Sequence, residues 1–227
     1  MNYRIKKYLS HLIPNKMINE MRKHFLQEQR KVRREQLAHL PNAQLTKKHI
    51  EDCTMLLNRV ELLKKLPREA TVAEIGVDEG EFSTKILKIT NPHKLHLIDN
   101  WGTDRYHRGK YNAVKNKFGD EISKDIVQIH RSLSVQAAEE FPDEYFDWMY
   151  LDTDHSYETT KNELESFAPK IKSNGIIAGH DYTMGNWIKS YKYGVIESVH
   201  EFCIKYDWEI IYLTIDPNEN RSFAIKK

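Results

Sequence analysis

The sequence predicts an α/β protein whose mainly parallel sheet of seven strands carries helices on both faces. From Thr71 onward, short apolar runs alternate with amphipathic stretches of helical length, which is typical of a parallel sheet covered on both sides. The runs are TVAEIGV, KLHLID, DIVQIH, FDWMYLD, GIIAGHD and EIIYLTI. A seventh run, RSFAIKK, follows the turn DPNEN and is predicted to lie antiparallel to its neighbour. No stretch approaches the roughly 20 apolar residues that a membrane span needs.

The chain length and the charge distribution predict one domain with an appendage. The 227 residues suffice for a single catalytic-sized domain, which we place at residues 46–227, after a basic helical arm at residues 1–45. Residues 1–40 hold ten basic and three acidic side chains, a net charge of +7, whereas the whole chain carries +2 and the remainder therefore −5. Such an arm can pack on another subunit, touch an anionic membrane surface or be a solvated helix. We expect subunit contact in a homo-oligomer, and we do not expect nucleic acid as a partner.

Two helical segments are predicted before the first strand. Apolar residues recur at roughly helical spacing in the arm, interrupted by Pro14; they are Tyr3, Tyr8, Leu9, Leu12, Ile13, Met17, Ile18, Met21 and Phe25. A second helix is predicted from Thr46 to about Leu66, where Pro67 ends it. Cys53 in this stretch and Cys203 in a later helix lie far apart, and no cleavable signal segment precedes them. We therefore expect a reducing, cytoplasmic environment.

The loop after the first strand of the domain is the first candidate binding segment, because ligands of open parallel sheets bind beyond the carboxyl ends of the strands. In AEIGVDEGEFST, Gly76 and Gly80 bracket a tight turn, and Ser83 lies at the start of the next helix. Four carboxylates crowd this loop, those of Glu74, Asp78, Glu79 and Glu81. They would repel a pyrophosphate, and the glycine spacing is not that of a dinucleotide site. The loop favours a cationic or zwitterionic nucleoside ligand.

The next two strand exits supply further candidates. Asp99 ends the strand in LIDNW, 23 positions after Gly76, and an acid about 20 residues after a glycine loop is suited to both ribose hydroxyls. In IHRSLSVQAA, Ser132 or Ser134 is predicted to cap a helix beside the adenine pocket. Helix capping alone would explain these serines equally well.

The ordered set of these motifs, with YLDTDHSYE and GIIAGHDY after them, resembles the class I S-adenosylmethionine-dependent methyltransferases over about residues 50–215. The resemblance is greatest to the small bacterial branch that contains macrolide and cephalosporin O-methyltransferases and many glycan-cluster enzymes. It implies a Rossmann-like, doubly wound fold that binds S-adenosylmethionine. The residues that it implies around the cofactor are Glu74, Gly76, Gly80, Phe82, Ser83, Asp99, Asn100, Trp101, Ser132 and Asp152.

A cluster of acids and histidines follows two consecutive strands. DWMYLD ends at Asp152 and GIIAGHD ends at Asp181, and neighbouring strands lie about 4.8 Å apart, so Asp152, His180 and Asp181 can converge. By resemblance to catechol-type relatives, these three are candidate ligands of a divalent metal, and His155 is the candidate catalytic base. His180 stands where those relatives have an oxygen ligand, so Mn²⁺ or Fe²⁺ suits the set at least as well as Mg²⁺.

Other interpretations of this region remain open. Asp154 can simply cap the helix that begins near Ser156, and His180 can satisfy a backbone group. WIKSYKYG, with Trp187 and Tyr191, is either a lid over the substrate or a surface loop.

The resemblance implies transfer of the sulfonium methyl group to a hydroxyl, with a sugar or glycan precursor as the expected acceptor. Asp152, His155 and His180 are the expected catalytic residues. The alternatives are a metal-dependent hydrolase acting on phosphoesters and a non-catalytic cofactor-binding partner subunit.

Overall fold

The computed structural model describes residues 14–186 and 191–227, and its contacts divide the chain into two compact units, Met1–Leu40 and Pro41–Lys227. In the first unit, helix α1 spans Asn15–Ala38 and begins directly after Pro14. Several large apolar side chains of α1 are exposed, among them Met17, Met21 and Phe25. The apolar positions predicted between residues 3 and 13 lie outside the described residues. In the described ranges, no helix combines the length and the apolar content that crossing a membrane requires.

The second unit alternates strands and helices. Its described strands are β1 (Thr54–Leu56), β2 (Thr71–Ile75), β3 (Lys94–Asp99), β4 (Val127–Arg131), β5 (Phe146–Leu151), β6 (Ile171–Gly179), β7 (Gly185–Asn186), β8 (Tyr191–Lys192), β9 (Glu209–Thr214) and β10 (Phe223–Lys226). Its described helices are α2 (Arg59–Leu63), α3 (Glu81–Thr90), α4 (Arg108–Lys117), α5 (Gly119–Ser123), α6 (Ser134–Ala138), α7 (Tyr157–Phe167) and α8 (Val195–Tyr206).

The main sheet has eight strands in the order β1-β9-β10-β6-β5-β2-β3-β4. The pairs β6–β5, β5–β2, β2–β3 and β3–β4 are parallel, and β10 is antiparallel to both β6 and β9, as predicted. From β2 the chain builds outward through β3 and β4, and then returns to build the other side through β5 and β6. The strand order therefore reverses between β2 and β5, and ligands of such sheets bind beside this point.

Helices cover both faces of the sheet, which confirms the predicted doubly wound, Rossmann-like architecture. Leu164 of α7 and Phe202 of α8 belong to the apolar core on one face. Leu62 of α2, Ile86 of α3 and Val114 of α4 belong to the core on the other face. Because both faces are buried, the central strands read as continuous apolar runs in the sequence.

The predicted helix from Thr46 to Leu66 is wrong. The segment forms a short 3₁₀ turn at Lys47–His49, strand β1, and helix α2 from Arg59. Strand β1 pairs in parallel with β9, and it is the eighth strand that the sequence did not predict. The side chain of Asn58 then accepts hydrogen bonds from the backbone of Val60 and Glu61, so a new helix starts there. Pairing with a distant strand overrode the helical spacing, and Cys53 lies outside any helix.

Candidate active site at the carboxyl edge of the sheet

The glycine loop after β2 is pressed against the end of β5. Gly76 has φ +87°, and a Cβ atom at this position would lie 2.0 Å from the carbonyl oxygen of Asp152. Gly80 has φ +72°, and its Cβ would lie 2.7 Å from the ring of Phe118. Both positions combine a left-handed backbone with contacts that leave no room for a side chain, so glycine is required at each. The loop and the β5 exit thus form one surface.

Glu74 and Ser83 form a buried pair beneath this loop. The Ser83 hydroxyl donates a short hydrogen bond to Oε2 of Glu74, which is only 1% exposed. Burial raises the pKa of Glu74 to about 8, although the bond from Ser83 opposes this shift. Phe82, one residue before Ser83, packs its ring 4.4 Å from that of Tyr150. The acid of the E-I-G motif is therefore largely protonated at neutral pH.

Asp99 at the end of β3 holds the same loop by its carboxylate. Its Oδ2 accepts hydrogen bonds from the backbone N–H groups of Val77 and Asp78, at 2.9 and 3.1 Å, and its Oδ1 accepts one from Trp101. A carboxylate has about four acceptor positions, so a ribose hydroxyl can still bind. The ribose contact stays a prediction, whereas the role that the structure shows for Asp99 is to fix the shape of the glycine loop.

Asn100 and Trp101 support the loops more than they face a ligand. The Asn100 side chain accepts a hydrogen bond from the backbone of Gly102. Trp101 is 1% exposed, and its indole N–H donates to the carbonyl of Asp78. This indole offers little surface to a cofactor and stabilises the loop from beneath.

The predicted capping by Ser132 or Ser134 is wrong. The residue at the N-cap of α6 is Leu133, and no side chain caps the helix. The Ser132 hydroxyl donates to the carbonyl of Leu133, while its backbone N–H donates to the carbonyl of Asp99. Ser132 is thereby tied to the exit of β3, where its placement is compatible with the predicted cofactor contact.

Asp152, His155 and Asp181 converge after β5 and β6. Each offers one ligand atom within 4.8 Å of those of the other two. Nε2 of His155 lies 3.0 Å from Oδ2 of Asp181. Nδ1 of His180 lies 3.4 Å from the same oxygen and 3.8 Å from Oδ1 of Asp152. The set of three therefore contains His155, the predicted base, and His180, a predicted ligand, lies beside this set instead of in it.

In this cluster, the ionised carboxylate of Asp181 and the protonated imidazole of His155 stabilise each other. Burial alone would lower the pKa of His155, but the hydrogen bond and the charge of Asp181 outweigh it and raise that pKa. Burial alone would raise the pKa of Asp181, but His155 and His180 hold it well below its usual range. Burial and the neighbouring Asp181 raise the pKa of Asp152. The Asp181 carboxylate therefore stays ionised and stabilises the protonated form of His155.

Four residues in these loops have a left-handed backbone that is uncommon for side chains other than glycine. They are Asp78 (φ 52°), Trp101 (φ 42°), His155 (φ 64°) and Asp181 (φ 57°). Such conformations cost of order 1–3 kcal/mol each and cluster at functional sites. Two of the four are the members of the His155–Asp181 pair, which supports a functional reason for holding them there.

Asp154 belongs to the start of α7 and not to this cluster. The N-cap of α7 is Ser156, whose hydroxyl accepts a bond from the backbone of Thr159. Asp154 accepts from the backbone N–H of Ser156 and from the hydroxyl of Thr159. It thus assists the cap, close to the capping role that the sequence left open.

Sequence reasoning missed several residues at the site, because they come from distant parts of the chain. Arg59, the first residue of α2, lies 3.7 Å from Asp152. Asn220, in the turn between β9 and β10, donates a short hydrogen bond to Asp181. The ring of Tyr193 lies 4.8 Å from that of His155. Asn220 lies in the polar turn DPNEN, which indicated only a turn, and Tyr193 lies in WIKSYKYG, which indicated a lid or a surface loop.

The segment predicted as a lid or surface loop is described in part. Trp187 lies outside the described residues. Tyr191 is 44% exposed in β8, which pairs with β7 in a separate two-stranded sheet. The backbone N–H of Gly194 donates to the carbonyl of His155, which ties the end of this segment to the candidate base.

The comparisons with known proteins agree with this geometry. Residues 73–182, from β2 to the residue after Asp181, match a family described as a methyltransferase domain. No curated protein matches the chain by sequence. The matched segment holds the glycine loop, the β5 exit and the β6 exit, so this part of the chain is similar to methyltransferase domains.

Solved structures share the fold at low sequence identity. An S-adenosylmethionine-dependent methyltransferase from Aquifex aeolicus is 14% identical with a TM-score of 0.53, over 74% of this chain and 87% of that protein. A protein from Streptococcus mutans, solved in complex with S-adenosylhomocysteine, is 12% identical with a TM-score of 0.54, over 74% and 95%. An O-methyltransferase family protein from Burkholderia thailandensis is 11% identical with a TM-score of 0.56, and the match spans 74% of this chain but only 55% of that protein.

The residues present fit the cofactor and a divalent cation by the chemistry of their donors. Asp78, Glu79 and Glu81 of the glycine loop are paired with Lys110 or Lys117. The carboxylate of Asp152 at the edge of the loop suits the positive charge of the cofactor, and Asp99 suits its ribose. Asp152, His155 and Asp181 offer two carboxylates and an imidazole, a set that divalent metals such as Mn²⁺ accept.

Proposed function

We propose that this protein transfers the methyl group of S-adenosylmethionine to a hydroxyl oxygen of a small molecule, with a sugar or glycan precursor as the acceptor class. The observation that carries the proposal is the His155–Asp181 pair, held 3.0 Å apart beside Asp152 at the edge of the glycine loop. Methyl transfer to a hydroxyl needs a group that removes the proton of the acceptor. The structure supports His155 in that role.

The His155–Asp181 pair has the polarity that general base catalysis requires. With its Nε2–H donated to Asp181, the neutral imidazole of His155 keeps a lone pair on Nδ1, which can accept the hydroxyl proton. Asp181 then stabilises the imidazolium that forms. Asn220 occupies the other oxygen of Asp181 and fixes the orientation of its carboxylate.

Bound S-adenosylmethionine supplies the electrophilic methyl group, and a divalent cation held by Asp152, Asp181 and a histidine would supply positive charge that lowers the acceptor pKa. The chain itself contributes alignment, since Asp99 and the glycine loop fix the donor on one side of the switch point. Asp152 lies between the glycine loop, which its backbone contacts, and the His155–Asp181 pair, which we take to face the acceptor.

Aromatic side chains beside the base support a ring-shaped acceptor. The ring of Tyr193 lies 4.8 Å from that of His155, and the exposed Tyr191 lies 5.8 Å from Tyr193. Flat apolar faces of this kind pack against the C–H face of a sugar or against an aromatic ring. The choice of a sugar rests on the resemblance to glycan-cluster enzymes. The match of residues 73–182 to a methyltransferase domain favours methyl transfer over a phosphoesterase, the alternative enzyme class.

The test combines ligand binding with turnover of hydroxyl acceptors. Thermal-shift measurements should show stabilisation by S-adenosylhomocysteine and none by NAD. The rate at which S-adenosylhomocysteine is formed during turnover should be about 10²–10⁴-fold lower in His155→Gln, which is the usual contribution of a general base. The affinity of this variant for S-adenosylhomocysteine should differ from that of wild type by less than twofold. His93→Gln, at an exposed position that is distant from His155 in the sequence, serves as the control. Absence of binding by the wild type would refute the cofactor assignment, and full activity of His155→Gln would refute the base.

A further inference from the structure

Arg59 is a partly exposed cation beside the glycine loop and the β5 exit, and it also interacts with the buried Tyr150. Its Nη1 lies 3.7 Å from Oδ2 of Asp152, and its Nε lies 3.4 Å from Oε2 of Glu219. Direct hydrogen bonds from a guanidinium to a carboxylate are about 2.7–2.9 Å long. Both contacts are longer than that. The Nε atom is buried and has no hydrogen-bond partner among the described residues.

The position of Arg59 is fixed from three directions. Its backbone N–H donates to Oε1 of Glu219, in the turn between β9 and β10. Asn58 directly before it caps α2. Its guanidinium carbon lies 4.7 Å above the ring of Phe82, in the first turn of the helix that follows the glycine loop. The guanidinium is thus held over the junction of the glycine loop and the β5 exit, while its side chain remains 23% exposed.

The charges around Arg59 match those of an amino acid. The charge of Arg59 acts on both Glu74 and Asp152, and lowers the pKa of each against the effect of burial. The carboxylate of Asp152 and the guanidinium of Arg59 lie side by side, and both are partly exposed. An α-amino acid end of a ligand carries an ammonium group that suits the carboxylates and a carboxylate that suits a planar, two-pronged guanidinium donor.

A purely structural role explains Arg59 less well. A residue that only tethered Glu219 and neutralised Asp152 would make short bonds to them, because a buried unpaired donor costs about 1–3 kcal/mol. The observed distances leave Nε unsatisfied instead. Because Nε is buried, a ligand carboxylate would bind the N–H groups at the outer end of the guanidinium, on a side chain that is 23% exposed.

We propose that Arg59 binds the α-carboxylate at the amino-acid end of the cofactor, and thereby makes the site prefer ligands that carry this group. This inference rests on the proposed function, because it takes S-adenosylmethionine as the donor. Phe82 supports the guanidinium from below, and Glu219 orients it from the side.

The test compares two ligands that differ only in the carboxylate. Calorimetry measures the affinity of wild type for S-adenosylhomocysteine and for its decarboxylated analogue, in which the ammonium group is retained. We expect wild type to prefer S-adenosylhomocysteine by about 10–100-fold, the range for a hydrogen-bonded charge pair. Arg59→Met should lose this preference by weakening only the carboxylated ligand, and Arg59→Lys should retain part of it. Arg68→Met is the matched control, since the guanidinium of Arg68 donates to the carbonyl of Ile89 at an exposed position.

The outcomes separate the inference from the proposed function. If wild type binds neither ligand, the proposed function fails. If wild type binds both equally, or if Arg59→Met weakens both by the same factor, the site does not use Arg59 for the carboxylate and the inference fails. If Arg59→Met does not fold, the wild type alone still shows whether either ligand binds and whether the two bind equally. Arg59→Lys then tests whether Arg59 causes the preference for the carboxylated ligand.

Discussion

Single residues carry the close contact between the glycine loop and the β5 exit. At Gly76 a side chain would collide with backbone atoms of Asp152, which cannot move without disturbing β5. At Gly119 an added Cβ would meet nothing within 4 Å. The two glycines therefore differ in kind: the first is needed for packing, and the second is replaceable.

We expect Gly76→Ala to lower the free energy of unfolding by about 2–4 kcal/mol, from the left-handed backbone and the overlap together. Gly119→Ala should leave it unchanged or raise it by about 0.5–1 kcal/mol, since alanine favours the helix. Urea unfolding followed by circular dichroism measures both. Equal stability of the two variants would show that the loop does not approach Asp152 as closely as described.

Glu163 is a buried acid that the proposed mechanism does not use. It lies on α7 with 1% exposure, and its Oε2 accepts a hydrogen bond from the hydroxyl of Thr153, the residue after Asp152. Burial raises its pKa to about 7 from the ordinary 4.5, against hydrogen bonds from Ser134 and Thr153. Glu163 thus joins the loop after β5 to helix α6.

The raised pKa of Glu163 makes the stability of the fold depend on pH. The folded protein retains a proton that the unfolded chain releases, so this contribution is fully present below about pH 4.5 and is lost as the pH rises through about 7. The difference in unfolding free energy between wild type and Glu163→Gln should fall by about 1–3 kcal/mol across that window. Glu158→Gln, on the exposed side of the same helix, controls for the change of net charge. A flat difference curve would contradict the prediction.

At the scale of elements, the strands that lie between two covered faces were predictable and the edge strand was not. Strands β2 to β6 appear as apolar runs because helices bury both of their sides. Strand β1 has only three residues, two of them exposed, and it forms by pairing with β9, since Thr54 pairs with Tyr212, 158 positions later. The sequence around strand β1 has the same spacing of apolar residues as one face of a helix, so the local pattern does not reveal the strand.

The residues of the candidate site also fall into a group that the sequence predicted and a group that it did not. Asp152, His180 and Asp181 follow predicted strands, so the topology alone brings them together. Arg59 and Asn220 reach the site only because the terminal hairpin folds back, and the Arg59–Glu219 contact spans 160 positions of the chain. Asn220 reaches Asp181 across 39 positions. Single-sequence patterns carry no information on such contacts.

Helix α1 is the element whose role the sequence left open, and its exposed apolar side chains make subunit contact the expected role. Deleting residues 1–40 should reduce the mass measured by light scattering to that of one chain, while the affinity for S-adenosylhomocysteine changes less than twofold. Phe25→Glu should have the same effect as the deletion. Gln27→Glu adds the same charge about 200° further round the helix and should have none.

Two other results would contradict subunit contact through α1. A mass that the deletion leaves unchanged would exclude assembly through the arm. Co-sedimentation of wild type with anionic vesicles at low salt, reversed at high salt, would then identify the membrane surface as its partner.

For the whole molecule, the central question is whether the Asp152–His155–Asp181 cluster works through a proton or through a cation. Both uses draw on the same atoms: Oδ2 of Asp181 either accepts the Nε2–H of His155 or binds a metal. The rate as a function of pH, with and without a chelator, distinguishes them.

If His155 is the base, the neutral imidazole is the active form, so the rate should rise with pH through the pKa of His155. Asp181 raises that pKa above the ordinary value of 6.5, and Asp181→Asn should therefore move the rising limb to lower pH while lowering the maximal rate. If a cation is also required, a chelator should abolish turnover in wild type and added Mn²⁺ or Mg²⁺ should restore it, with binding of S-adenosylhomocysteine unaffected by either treatment. Asp152→Asn should then require a higher metal concentration for the same rate, whereas Asp154→Asn, at the start of α7 and outside the set of three candidate ligands, should not. Full turnover in the presence of the chelator would exclude a metal from the mechanism. A rising limb that keeps its position in Asp181→Asn would exclude the His155–Asp181 pair as the base. If both results were obtained, methyl transfer by this protein would depend on the alignment of its two substrates alone.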